Sequence, residues 1–68
     1  MTTLQEHLAW LQKHCSFVSI GWTKDGGYAA SARTSDGELH EVSGIAELEE
    51  CSRELCEDVC THLGESCV

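Results

Sequence analysis

Sixty-eight residues with a formal net charge of −8 and five cysteines describe one small acidic domain spanning positions 1–68. That charge argues against direct binding to nucleic acid, because phosphate recognition needs a basic footprint, and it disfavours anionic membrane surfaces. No apolar run approaches the ~20 residues of a membrane span, and the opening MTTLQEHLAW lacks the basic and apolar regions of a secretion signal, so a cytoplasmic protein is expected.

Thr3-x-x-Glu6 has the spacing of a capping box and predicts a helix running to about Cys15. Leu4, Leu8, Leu11 and Cys15 mark its buried face, with Trp10 on a shoulder and His7 and His14 at the rim. Those two histidines stand two turns apart, roughly 10 Å, too far to share one metal. From Ser16 to Lys24 the chain alternates, with Val18, Ile20 and Trp22 on one side and Phe17, Ser19, Gly21 and Thr23 on the other. That is the pattern of a half-buried strand. Asp25-Gly26-Gly27 signals a hairpin. Tyr28 to Thr34 is a second strand, whose Ala30 and Ala32 are small enough for a helix to lie close. Ser35-Asp36-Gly37 is a second turn, and Glu38 to Ser43 a third strand. Leu39 and Val42 there have opposite parity, so one is exposed or a bulge intervenes.

The stretch Gly44 to Gly64 reads as one acidic helix. Ile45, Leu48, Leu55, Val59 and Leu63 follow steps of three and four, with Cys51 or Ser52 filling the gap and Cys56 and Cys60 widening the face. Gly44-x-x-Glu47 resembles a capping box, Glu47, Glu49 and Glu50 suit the first turn, and Gly64 suits a left-handed stop after His62. The expected architecture is α+β, in the order α-β-β-β-α: a three-stranded antiparallel meander with both helices packed on one face. Val18, Ile20 and Trp22 are expected on the covered side, and Phe17 on the open side. A core this small buries only about 60% of the unfolded surface, so a homodimer, a metal or a disulfide is an expected support. The open sheet side and the cysteine flank of the last helix are the two surfaces for such a dimer.

The element order resembles that of the double-stranded RNA-binding domain. Such domains hold phosphates with basic residues at the start of the last helix, and Glu47, Glu49 and Glu50 stand there instead, so RNA binding does not carry over. Trp22 to Leu48 also resembles the strand-strand-strand-helix unit of small HicB-type antitoxins, which implies a regulatory homodimer as an alternative function.

Cys51-x4-Cys56-x3-Cys60-x6-Cys67 is the series that invites chemistry. Cys56 and Cys60 are one turn apart and can place two thiolates on one zinc, with Cys67 as a third ligand and His62, His14 or Cys15 as a fourth. No paired C-x-x-C knuckle is present, and free cysteine is among the most buried residue types, so core cysteines are preferred. Cys15 can meet a cysteine of the last helix if the helices pack side by side. No enzyme is expected: His14 and Cys15 point about 100° apart on a helix, and the carboxylates lack the apolar neighbours that raise a pKa.

What remains is surface. Glu47, Glu50, Glu54, Glu57 and Asp58 advance in steps of three, four, three and one, forming a ridge with acids about 5–6 Å apart. DNA presents phosphates at comparable spacing. The leading expectation is therefore a non-enzymatic module that occupies a basic, nucleic-acid-binding surface of a partner protein. In size and charge the chain resembles small phage inhibitors of such machinery, anti-CRISPR proteins among them. A solvated face that serves solubility is the simpler explanation, and Glu49 with Arg53 suits a local i,i+4 pair.

Overall fold

A threonine starts the fold. Thr3 Oγ1 accepts a hydrogen bond from the Glu6 amide, and the Glu6 carboxylate accepts one from the Thr3 amide. The capping box is complete and fixes the first helical turn. The computed structural model describes residues 3–64. From there the order is α1 (Leu4–His14), β1 (Cys15–Trp22), β2 (Tyr28–Thr34), β3 (Leu39–Ile45) and α2 (Leu48–Leu63). The strands form an antiparallel sheet in the order β1-β2-β3. Both helices cover one face, α1 against β1 and α2 against β2 and β3, with the helices also touching each other. No described helix is long and apolar enough to cross a membrane.

The register explains why that face is the inner one. Val18 pairs with Ala32, which pairs with His40; Ile20 pairs with Ala30, which pairs with Val42. Ala30 and Ala32 are buried together with Leu11, Cys51, Leu55, Cys56 and Val59. With only a methyl group on the central strand, α2 lies close enough to bury Leu55 and Val59 completely. Each such side chain stabilises the fold by about 1.5–3 kcal/mol.

Four expectations are corrected. The face of α1 is rotated, so that His7 is buried while Leu8 is 38% exposed. Ser52 makes this possible: its hydroxyl lies 2.8 Å from His7 Nδ1 and 2.8 Å from the Glu49 carbonyl oxygen. A hydroxyl has one proton, so donating to Glu49 leaves it to accept from His7 Nδ1–H. That arrangement satisfies both bonds and selects the tautomer. Trp22 shares the parity of Ile20 but is 83% exposed, because it forms the last rung with Tyr28 at the end of the sheet. The third correction concerns β3, which continues through Gly44 to Ile45; Ile45 pairs with Tyr28 rather than lying on a helix. The register shifts between Tyr28 and Ala30, a bulge past Val42 with Gly44 at φ 69°; from Leu39 to Val42 the register is unbroken, so their opposite parity turns Leu39 outward instead. Leu39 is accordingly exposed. In consequence the Gly44–Glu47 box does not form: Glu47 is itself the N-cap of α2 and makes no side-chain capping bond. Lastly, Cys51 and Cys56 lie in the core rather than on an outer flank of α2, where, among the described residues, only Cys60, half-buried, remains. Gly64, at φ 70°, ends α2 as expected.

Candidate partner-binding surface

The sheet has an apolar flank and an acidic one. On the β1 side, Leu8, Phe17 and Trp22 are the exposed large hydrophobics, and Leu4, Leu8, Ile20, Trp22, Tyr28 and Leu48 line one groove. On the β3 side, Glu41, Glu54, Glu57 and Asp58 line a groove between β3 and α2 together with Val42 and Thr61.

Of the predicted ridge, Glu54, Glu57 and Asp58 line this second groove, whereas Glu47 and Glu50 do not. Glu47, Glu50, Glu57 and Asp58 are exposed and Glu54 is half-buried. Arg53 sits between two ridge acids, 2.7 Å from Glu57 and 3.4 Å from Glu50, rather than pairing with Glu49. Asp58 Oδ2 lies 2.8 Å from His40 Nδ1. Glu41 and Glu54 form no salt bridge among the described residues. Glu41 was not marked by helical spacing, because it reaches the groove from the edge strand.

Next to this groove is a cluster of four residues from three segments. His40 comes from β3, Asp58 and His62 from α2, and Asp36 from the turn before β3. His62 Nε2 lies 3.0 Å from Asp36 Oδ2, and the two imidazole ring centres are 4.8 Å apart at 57°. Asp36 also accepts from the Thr34 hydroxyl and the Glu38 amide. These contacts, the Thr34 hydroxyl foremost, then His62 and Glu38, bring its pKa down to about 2. His40 Nε2 is buried and has no hydrogen-bond partner among the described residues.

The cysteines are placed differently from a zinc site. Cys15, Cys51 and Cys56 are thiols. Burial pushes all three up; for Cys56, where Cys15 and Glu57 add to the effect, the pKa reaches about 11. Protonated thiols are poor nucleophiles and poor ligands. Cys56 Sγ donates instead to the His7 carbonyl oxygen at 3.5 Å. Cys60 is disulfide-bonded, and Cys67 lies outside the described residues. Of the predicted set, His62 is thus turned to Asp36 while Cys56 faces the core. Among the described residues no three His, Cys, Asp or Glu side chains converge on one point. His7 and Ser52 are both buried, with the proton running from imidazole to hydroxyl, the reverse of an activated serine.

No protein-family model, curated protein or solved structure matches this chain.

Proposed function

We propose that the chain is a non-enzymatic, cytoplasmic binding module that sets its acidic α2–β3 flank against a basic surface of another protein. The observation that carries this reading is the groove in which Glu41 joins Glu54, Glu57 and Asp58 from a different element. A single helix can be acidic for solubility alone. Carboxylates from a strand and a helix lining one groove make a shaped acceptor for lysine and arginine side chains. A nucleic-acid-binding surface has the matching charge, and an inhibitor of phage type acts in this way by competing with phosphates. The test is affinity capture of basic proteins, eluted by a salt gradient and competed with DNA, comparing the native chain with the E41K/E54K/E57K variant. Asp58 is left intact because it holds His40. The triple reversal should stay folded and lose capture, and native capture should weaken steeply with salt, since screening acts over about 8–10 Å. Unchanged capture by the folded variant overturns the proposal.

A second reading, a small antitoxin-like regulatory homodimer, draws on the apolar β1 flank. Trp22 and Phe17 are 83% and 52% exposed, and aromatic side chains dominate interface energetics. Sedimentation should then show a dimer that W22A/F17A converts to monomer. A monomer mass at every concentration removes this reading.

A further inference from the structure

We infer that His40 and His62 form a binding site for one divalent transition-metal ion, of the borderline class that favours imidazole, zinc or copper. Three observations point the same way. The first is spacing. Two imidazoles on one tetrahedral ion, at about 2.0–2.1 Å per bond, hold their ring centres roughly 5 Å apart; here the distance is 4.8 Å. The second is the outer partners. Histidine ligands commonly engage a carboxylate through the nitrogen that does not touch the metal, which fixes the ring and raises its basicity. Both rings have that arrangement, His40 Nδ1 with Asp58 and His62 Nε2 with Asp36. The nitrogens left over are His40 Nε2 and His62 Nδ1. The third is an orphan: His40 Nε2, like His7 Nε2 elsewhere in the core, is buried without a partner among the described residues, and a buried polar atom so placed carries its full desolvation cost. Coordination removes that cost.

Two carboxylates within the cluster, with Glu54 and Glu57 on the adjoining groove, also draw a cation to this corner of the molecule. The described residues supply two nitrogens, and water fills the remaining coordination positions. Imidazole rather than thiolate is the ligand chemistry, because Cys51 and Cys56 are core thiols. The site is independent of the acidic groove's partner: it stands or falls with the histidines.

The experiment titrates zinc chloride into chelator-stripped protein without reductant, so that the Cys60 disulfide stays closed, against a coloured zinc indicator, while the imidazole signals are followed by NMR. One ion per chain is expected, shifting the rings of His40 and His62 and leaving His7 and His14 in place. H62Q should abolish uptake, D36N and D58N should each weaken it about 10-fold or more, and C51S/C56S should keep it. Copper should bind more tightly than zinc. Absence of saturable uptake up to millimolar zinc, survival of uptake in H62Q, loss in the cysteine variant alone, or shifts confined to His7 and His14 would each overturn the assignment. The ring signals of the native protein decide the matter even if a variant fails to fold.

Discussion

Two turns of nearly the same sequence, T-K-D-G-G at 23–27 and T-S-D-G-E at 34–38, have different roles in the molecule. Their backbones match. Gly26 N–H donates to Thr23 O and Gly37 N–H to Thr34 O, while each threonine amide donates to the carbonyl four residues on. Both third-loop glycines are left-handed, at φ 89° and 94°, as a type I turn closed by a glycine bulge requires. Their surroundings do not match. Thr23 and Asp25 are exposed. Thr34 is buried, and Asp36 is held by Thr34, Glu38 and His62. Ser35 further donates to the carbonyl of His14 at the end of α1. Local sequence is enough to write a turn. Whether that turn also becomes an anchor for both helices depends on where the helices end.

The sharpest way to break this comparison is to remove the two threonine hydroxyls in turn. T34V should cost about 1–3 kcal/mol, because it leaves the Glu38 amide and Asp36 short of a partner in a part-buried setting. T23V should stay within about 0.5 kcal/mol, as an exposed substitution. Denaturant melts of the two variants provide the measurement, and equal losses would show the turns to be alike after all.

A smaller effect separates the two aspartates. Asp36 has a folded pKa lowered from 3.8 to about 2. A depressed carboxylate adds stability above its unfolded pKa, and that contribution fades as pH falls through the folded value. The native chain should therefore lose stability between about pH 4 and pH 2, and D36N should flatten that part of the profile. D25N should leave the profile unchanged. Identical acid profiles for the native chain and D36N would remove Asp36 as the anchor.

Much of the fold could be read from neighbours in sequence, and the site could not. Thr3 and Glu6, the alternation of β1 and β2, both D-G turns and the apolar steps from Leu48 to Leu63 are short-range signals, and each is an element of the structure. The errors fall where a distant residue decides. His7 enters the core because Ser52 meets it from a helix 45 positions away. Ile45 joins the sheet because Tyr28 pairs with it across a bulge. The ridge was visible as helical spacing, but Glu41 and the His40–Asp58 and His62–Asp36 pairs join separate elements. No local pattern announces such pairs. Arg53 shows the limit on the helix itself, since i,i+3 and i,i+4 partners compete and Glu50 and Glu57 win over Glu49.

The buried bond between His7 and Ser52 has a consequence for how the two helices find each other. Leu11, Leu55 and Val59 supply the apolar contact between layers, and aliphatic surfaces tolerate sliding by a helical turn with little change in contact area. A directional bond at 2.8 Å between one imidazole and one hydroxyl exists at a single alignment. Any other breaks that bond and leaves a second desolvated ring nitrogen beside His7 Nε2, which is already buried without a partner among the described residues. The pair is an alignment key: it selects one docking of α1 on α2 out of several that burial alone would accept. In a domain with so few large side chains, uniqueness of the folded state then rests on a polar contact rather than on the volume of the core.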